Sequence, residues 1–213
     1  MTEARSGDLI SIHADESCIG NGRQGANPGG AGGLLEWLSP GKGAAAAADS
    51  VARFDYWISE PATTNNRMAL RSVIEAFHGI SRRGKSFRVV FTSDSKYIVD
   101  GMTLWVPGWI ARDWRRKTGA IVNLELWQEA VEAVSAHETQ WRWVRGHKGH
   151  PQNEYANYLA TRAAADQSDS NGLRPSGFEA WMALEKTSKL RLTDTEPFPD
   201  SNSFKPTPIA WTI

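Results

Sequence analysis

Two aspartates, Asp15 and Asp94, each follow a stretch of sequence that is typical of a β-strand. Ile10 and Ile12 alternate with polar residues before Asp15, and residues 87–91 are largely apolar shortly before Asp94. The alternation indicates a half-buried strand, so both carboxylates are predicted at strand ends. Ligands of α/β folds bind at such ends, although an acid there can also be a turn-forming residue.

Carboxylates grouped in this way can hold divalent cations. Mg²⁺ prefers oxygen ligands and keeps several of its waters, so a few Asp or Glu side chains suffice. Two such ions roughly 3.5–4 Å apart can activate a water and stabilise charge on a leaving oxygen, which is the chemistry of phosphodiester hydrolysis. Glu16 places a third acid beside Asp15. Strict alternation would turn Glu16 to the other face of the strand as a surface residue, unless alternation fails at the following glycine-rich loop.

Aromatic and basic residues are interleaved between residues 102 and 117. Aromatic side chains next to cations suit a surface that binds a phosphate backbone. The alternative is a pair of helices with a buried tryptophan face and a solvated charged face. The residues concerned are Trp105, Trp109, Trp114, Arg112, Arg115, Arg116 and Lys117.

The composition excludes several classes of protein. The chain has 213 residues with 24 basic and 24 acidic side chains, so any nucleic-acid site must be a local patch. The single Cys18 excludes an intramolecular disulfide, and no Cys/His spacing predicts structural zinc. With no signal peptide and no apolar run of membrane-spanning length, we expect a cytoplasmic monomer with no membrane partner.

A mixed sheet and its helices must position the acids. Alternating or apolar runs predict five strands, at residues 9–15, 34–38, 51–59, 87–93 and 140–144. An amphipathic helix capped by Thr64 or Asn65 is predicted from the spacing of Leu70, Val73, Ile74 and Phe77. Further helices are predicted over residues 124–134 and 153–165. This order indicates the α/β class, with a mixed sheet covered by helices.

The chain is predicted to divide into three parts. Residues 1–8 form a short flexible lead, and residues 9–166 form one domain. Residues 167–213 form a C-terminal extension with one short helix within 177–190 and a Pro-rich end that is extended or disordered.

Four motifs together resemble those of a known family in order and spacing. They are the stretch from Ile10 to Asp15 with its glycine-rich loop, Thr63-Thr64-Asn65-Asn66-Arg67-Met68-Ala69-Leu70, Thr92-Ser93-Asp94-Ser95-Lys96-Tyr97, and Gly146-His147-Lys148-Gly149-His150-Pro151-Gln152-Asn153-Glu154. On these motifs the chain from Leu9 to Ala165 resembles ribonuclease H of the bacterial type 1 family. The glycine-rich loop is longer than in the family, through residues 22–26.

The resemblance implies a ribonuclease H-like fold, in which three antiparallel strands and then parallel strands form a five-stranded mixed sheet. It implies hydrolysis of the RNA strand of RNA–DNA hybrids, with Mg²⁺ or Mn²⁺ as cofactor. Asp15 and Asp94 match metal-binding aspartates, and His147 matches a loop histidine that assists proton transfer or product release. The residues matched with hybrid binding are Asn21, Thr64, Asn65, Asn66 and Arg67, together with Trp105, Trp109, Arg115, Arg116 and Lys117 of a segment that resembles the family's basic handle.

Two of the family's four catalytic carboxylates are missing. The helix glutamate is replaced by Ala69, which cannot ligate a metal. The last carboxylate falls at Asn157, whose amide oxygen can ligate but carries no charge. Glu16, where the family usually has glycine, is the best local candidate for a compensating acid. The predicted catalytic set is Asp15, Asp94, His147 and Glu16, and the predicted metal ligands are Asp15, Asp94 and Asn157.

Two functions remain as hypotheses. The first is a metal-dependent endonuclease that cuts the RNA of RNA–DNA hybrids with a modified carboxylate site. The second is a hybrid-binding or interaction module that has lost catalysis. The retained aspartates and hybrid-binding motifs favour the first, whereas Ala69 and Asn157 favour the second.

Overall fold

A six-stranded mixed sheet forms the centre of the structure, a computed structural model that describes residues 7–20, 22, 27–39, 50–81, 84–185 and 192–208. Its strands lie in the order β5-β4-β1-β2-β3-β6. The strands are β1 (Leu9–Cys18), β2 (Gly29–Ser39), β3 (Ser50–Glu60), β4 (Arg88–Ser93), β5 (Glu138–Trp143) and β6 (Arg174–Pro175). β1, β2 and β3 are antiparallel, whereas β4 and β5 join β1 in parallel. The predicted α/β class with a mixed sheet is confirmed.

The sixth strand corrects the predicted count of five. β6 has only two residues, Arg174 and Pro175, which pair antiparallel with Asp55 and Phe54 of β3. So short a strand has no alternation for a sequence pattern to detect, and proline cannot donate a ladder hydrogen bond. The pairing depends on the route of the chain after its last long helix, which returns along the outer edge of β3.

The first strand extends beyond its predicted end at residue 15. β1 continues to Cys18, and Asp15 still pairs with Gly32 of β2. The parallel pairing of β1 with β4 ends one residue before Asp15, at Ala14. The prediction that the first strand ends at Asp15 was therefore wrong, because β1 continues past the point where the neighbouring strand β4 ends.

Glycines in β2 allow helix α5 (Pro151–Asp166) to lie directly on the sheet. A Cβ atom on Gly30 would overlap the carbonyl oxygen of Ala160, and one on Gly32 would lie 2.6 Å from the Cβ of Leu159. Side chains at these positions would therefore push the helix away from the strands. Residues 29–33, which were predicted as part of a glycine-rich loop, therefore belong to strand β2. Their glycines allow a helix to approach the strand closely.

The opposite face of the sheet carries the main apolar core. Helices α1 (Asn65–Ser81) and α4 (Leu124–Ser135) contribute to this core, and the predicted stripe of α1 is buried in it. Ile12 and Ala14 of β1 also point into the core. Alternation along β1 therefore turns Asp15 to the face that carries α5.

Two short helices connect β4 to α4. They are α2 (Lys96–Asp100) and α3 (Val106–Ile110), joined by the π-helical turn Gly101–Trp105. The connection packs its aromatic side chains around Trp127 of α4. No helix in the described part of the chain is long and apolar enough to cross a bilayer.

Helix α6 (Phe178–Glu185) lies in the C-terminal part of the chain and packs beside α5. Its start is fastened by Asp55 of β3, which is buried. The Asp55 carboxylate accepts hydrogen bonds from the hydroxyls of Tyr155 and Ser176 at 2.7 and 2.6 Å, and from the N–H of Gly177 at 2.9 Å. These bonds compensate for the burial of the charge.

His137, between α4 and β5, is a buried neutral histidine. Its Nδ1 accepts a hydrogen bond from the N–H of Phe87 at 3.1 Å. Nε2 therefore carries the proton and donates to the hydroxyl of Ser81 at 2.8 Å. Burial lowers the pKa of His137 from 6.5 to about 4.

This histidine should make the folded state sensitive to acid. Between pH 6.5 and about 4 the unfolded chain binds more protons at this site than the folded chain, so the free energy of unfolding falls as the pH falls. Asn in place of His137 keeps an acceptor for Phe87 but cannot titrate. The Tm of His137→Asn is therefore expected to fall less than that of the parent between about pH 7 and about pH 4.5. The same pH dependence in both proteins would contradict this, and the exposed His78→Asn serves as control.

Candidate active site

Asp15 lies within β1 beside the carboxyl end of β4, and Asp94 is the residue that follows β4. Asp15 is 6% exposed, and Asp94 is partly buried. Their carboxyl groups share a hydrogen bond. Burial raises the pKa of both, and the charge of Asp94 raises that of Asp15 further. A cation bound between the two would remove the penalty on their charged forms.

Glu16 brings a third carboxyl group close to this pair. It is partly buried, and its N–H donates to Oδ1 of Asp15 at 2.7 Å. Burial and then the charge of Asp94 raise the pKa of Glu16 to about 8, whereas a hydrogen bond with the side chain of Ser95 favours the charged form. Alternation places Glu16 on the face of β1 that packs against α1. Helix α1 covers that face. Glu16 is therefore not a surface side chain, which was the alternative that strict alternation predicted.

The acids suit a hard divalent cation by their chemistry. Carboxylate oxygens are the ligands that Mg²⁺ prefers and that Mn²⁺ accepts. Among the described residues, no three His, Cys, Asp or Glu side chains already have the geometry of a metal site. The fit therefore rests on the donor type and on the burial of Asp15, Glu16 and Asp94, whose charged forms an ion would stabilise.

The loop after β5 holds Asp94 from a second side. Nε1 of Trp143 donates to the carbonyl of Asp94 at 3.0 Å, and the N–H of Val144 donates to the carbonyl of Ser93 at 3.1 Å. A Cβ atom on Gly146 would overlap Oδ2 of Asp94. Position 146 must therefore be glycine for the loop to pass this close to the carboxylate. Gly146 belongs to one of the four sequence motifs, but the motif does not indicate that this residue contacts Asp94.

His147 lies in the same loop with its side chain exposed and its backbone in the left-handed region, at φ 54°. Its Nδ1 is 4.0 Å from Oε2 of Glu154, and Oε1 of Glu154 accepts a hydrogen bond from the N–H of Gly149 at 3.0 Å. The charge of His147 partly offsets the rise that burial causes in the pKa of Asp94. Asn157 is partly buried and lies three residues after Glu154, on the same side of α5.

An aromatic groove lies beside the π-helical turn. Four residues predicted to bind nucleic acid line this groove of about 410 Å³, namely Asn66, Trp105, Trp109 and Arg116. Its wall is completed by Tyr97, Ile121, Val122 and Trp127, which the sequence reasoning did not assign to a site. The Tyr97 hydroxyl accepts a hydrogen bond from Nε1 of Trp127 at 3.0 Å, which fixes these two rings. Aromatic faces beside a guanidinium can bind a nucleic-acid backbone.

Comparison with known proteins identifies the family. The family model for RNase H matches residues 8–165. The chain belongs to the RNase H family. It is 40% identical over 158 residues to the ribonuclease H of Stutzerimonas stutzeri, covering 74% of this chain and 92% of that protein. The ribonuclease H of Syntrophotalea carbinolica is 38% identical over 167 residues, covering 78% and 96%.

One solved structure covers almost the whole of this RNase H. The crystal structure of LC9-RNase H1, described as a type 1 RNase H with the type 2 active-site motif, is 58% identical and superposes with a TM-score of 0.85. The match covers 97% of this chain and 95% of that chain. The resemblance to bacterial type 1 RNase H is confirmed by these relatives.

The position of the family's helix glutamate is apolar in this RNase H. Ala69 is 2% exposed and belongs to the main core, where its methyl group packs with the side chains between α1 and the sheet. Glu16 approaches from the strand on this same α1 side. The missing acid and the additional one therefore lie on the same face of the sheet.

The remaining predicted binding residues differ in their surroundings. Thr64 caps α1, with its Oγ1 accepting from the N–H of Arg67 at 3.4 Å. The Arg67 guanidinium donates to Oε1 of Glu125 at 3.1 Å, so a phosphate would have to compete with an acid. Oδ1 of Asn65 is buried and accepts no hydrogen bond within the described ranges. Arg115 and Lys117 are exposed, whereas Asn21 lies outside the described residues.

Proposed function

We propose that this RNase H hydrolyses the RNA strand of RNA–DNA hybrids, with Glu16 replacing the acid that is missing at Ala69. The observation that carries the proposal is the mutual electrostatic influence of three buried or partly buried carboxyl groups, those of Asp15 and Glu16 on β1 and of Asp94 just after β4. LC9-RNase H1, at 58% identity, is a type 1 enzyme with the active-site motif of another type, which supports an altered carboxylate set here.

We infer that the site uses Mg²⁺ or Mn²⁺, because its donors are hard oxygens and RNase H enzymes use divalent metal ions. Asp15, Glu16 and Asp94 would hold the metal, with the amide oxygen of Asn157 as a neutral ligand. When bound, the metal supplies an activated water and stabilises charge on the leaving oxygen. His147, exposed at the rim, would take up and release a proton near the acids.

Hybrid recognition is assigned to the aromatic groove and the cations beside it. Arg116 and Asn66 provide donors for phosphate, and Trp105 and Trp109 provide apolar faces for sugar or base. Contacts of this kind recognise the shape of a duplex and its 2′-hydroxyls, so cleavage is expected without sequence preference.

Replacing Arg115, Arg116 and Lys117 by Ala should weaken hybrid binding and its salt dependence together. Each phosphate contact contributes about 0.9 to the slope of log affinity against log salt, so the slope should fall by roughly two to three. Fluorescence anisotropy at several salt concentrations measures both quantities. Arg162→Ala, which removes an exposed cation from α5, is the control. An unchanged slope in the triple variant would show that these three residues do not contact the hybrid.

Cleavage of an end-labelled RNA–DNA hybrid by the purified protein tests the proposal directly. We expect cleavage of the RNA strand in Mg²⁺, and more in Mn²⁺, which binds such sites more tightly. Chelation should abolish cleavage, and double-stranded DNA should remain intact. Tight hybrid binding without cleavage in either metal would instead support the non-catalytic hybrid-binding module, the alternative favoured by Ala69 and Asn157.

We also infer that residues 9–166 form the RNase H domain and residues 167–213 an extension of it, since the family match ends at residue 165. The cytoplasmic location and the monomeric state stay predictions from the sequence.

A further inference from the structure

A segment of the C-terminal extension, residues 192–208, forms hydrogen bonds with β4 and β5 and with the loop that carries His147. We call this segment the strap and residues 144–150 the histidine loop. The N–H of Thr193 donates to the carbonyl of Gly149 at 2.8 Å, and the Thr193 hydroxyl donates to the same oxygen at 3.1 Å. The strap therefore binds the histidine loop directly.

Glu196 of the strap holds the elements on both sides of the histidine loop. Before the loop, its Oε2 lies 2.6 Å from a guanidinium nitrogen of Arg142 on β5. After the loop, Nε2 of Gln152 in the first turn of α5 donates to the Glu196 carbonyl at 2.8 Å, and the Glu196 N–H donates to Oε1 of Gln152 at 3.2 Å. Gln152 is 1% exposed, so this exchange is shielded from water. One strap residue thus fixes both ends of the loop.

The opposite side of the histidine loop contacts the acids. Gly146 packs on the carboxylate of Asp94, and the N–H of Gly149 donates to Glu154, whose other oxygen lies 4.0 Å from His147. Gly149 is thereby held by both of its backbone groups, its N–H by Glu154 and its carbonyl by Thr193. A displacement of the strap would therefore move this buried residue, and with it the loop that packs on Asp94 through Gly146.

The strap lies beyond the domain that the RNase H family shares, because the family match ends at residue 165. The loop itself contains two positions with positive φ, His147 at 54° and Gly149 at 78°. Such a segment has several accessible backbone conformations unless its surroundings restrict it. The contacts of Thr193 and Glu196 supply that restriction from outside the family's common domain.

We propose that Thr193 and Glu196 are positioning residues, which hold the histidine loop against Asp94 and present His147 for hydrolysis. The proposal rests on the proposed hybrid cleavage. The strap does not contribute a reacting group. It limits the positions of the loop, and a displacement of about 1 Å at a catalytic group can cost up to about 100-fold in rate.

The test uses the full chain with Thr193→Pro and Glu196→Ala, which together remove both Thr193 donors and the carboxylate. We expect kcat for hybrid cleavage to fall at least about tenfold with KM changed less than about twofold, since the aromatic groove is untouched. Amide hydrogen exchange of residues 144–150 should become faster. The control is Ser201→Ala, which removes the 2.7 Å contact with Arg88 at another part of the same strap and should leave kcat unchanged.

The strap substitutions are also made in a His147→Ala background, which distinguishes a positioning role from a purely structural one. If the strap acts through the histidine, the strap substitutions should lower kcat little further there, because residues acting as one unit are not additive. An equal further fall, or an unchanged kcat in the original background, would overturn the proposal. Should the double variant fail to fold, full kcat in both single variants, Glu196→Ala and Thr193→Pro, would overturn it.

The proposed function can fail separately. A parent protein that does not cut hybrids shows that failure by itself, before any variant is made. Amide hydrogen exchange would then still measure whether the strap restricts the histidine loop. Unchanged protection of residues 144–150 in the strap variant would contradict this restriction independently of activity.

Discussion

Replacing Glu16 with Gln should lower kcat for hybrid cleavage in Mg²⁺ by at least about 100-fold. Loss of a group that merely supports a metal ligand commonly costs 10–100-fold, and Glu16 is proposed as a ligand itself. The loss corresponds to about 2.7 kcal/mol of transition-state stabilisation. Gln keeps the size of the side chain and removes only the charge that Ala69 cannot supply. Initial rates at saturating hybrid measure the effect, and hybrid affinity should not change.

Glu75→Gln is the matched control, because Glu75 is a partly buried acid on α1 at the wrong side of the helix. It should retain the parent's rate. A parent-like rate for Glu16→Gln would show that Glu16 is a packing residue and not a metal ligand.

Moving the carboxylate back to the helix extends the same test. Ala69→Glu alone adds an acid at a position that is 2% exposed, while Glu16 is still present, so it should destabilise the fold and give no gain in activity. Ala69→Glu combined with Glu16→Gly and Asn157→Asp restores the family's carboxylate set. This variant should recover at least about tenfold in kcat over Glu16→Gly alone. No recovery in a folded protein would mean that the two positions do not serve the same ion.

Gly146→Ala should have the second largest effect, a loss of about 100-fold in kcat/KM. The new methyl group would overlap Oδ2 of Asp94, so either the carboxylate or the histidine loop must move. A misplacement of about 1 Å at a catalytic group is enough for such a loss. Hybrid affinity measured without metal should stay near the parent's value, because the aromatic groove is formed by other residues.

Gly79→Ala is a suitable control for Gly146→Ala. Its new methyl group would also meet a close neighbour, at 3.1 Å, but that neighbour is the flexible side chain of Leu173. The control should retain its activity. Full activity in Gly146→Ala would show that the Asp94 carboxylate can turn aside without cost, which would contradict its assigned role.

The regular elements of this protein were predictable from the sequence because their periodicity is local. The spacing of Leu70, Val73, Ile74 and Phe77 specifies one buried face of α1, and alternation along β1 specifies which residues enter the core. The end of β4 just before Asp94 followed from the same patterns, whereas the end of β1 lies three residues beyond Asp15.

Features that depend on contacts between distant segments were not predictable. The glycines of β2 were predicted as a loop. They are needed because the backbone of α5, more than a hundred residues later in the chain, packs directly on them. β6 and the strap have no periodic pattern, and their positions follow from hydrogen bonds to elements already in place. Tyr97 and Trp127 became groove residues only when α2 and α4 met.

The carboxylate site shows the same division most clearly. The sequence by itself determined which acids are present and that Ala69 and Asn157 are not acids. Only the tertiary structure decided that the face of β1 carrying Glu16 is covered by α1, and that burial and then the nearby charge of Asp94 raise the pKa of Glu16 to about 8. The reason is physical: alternation fixes the direction of a side chain relative to its own strand, whereas the packing of other segments decides what that side chain meets.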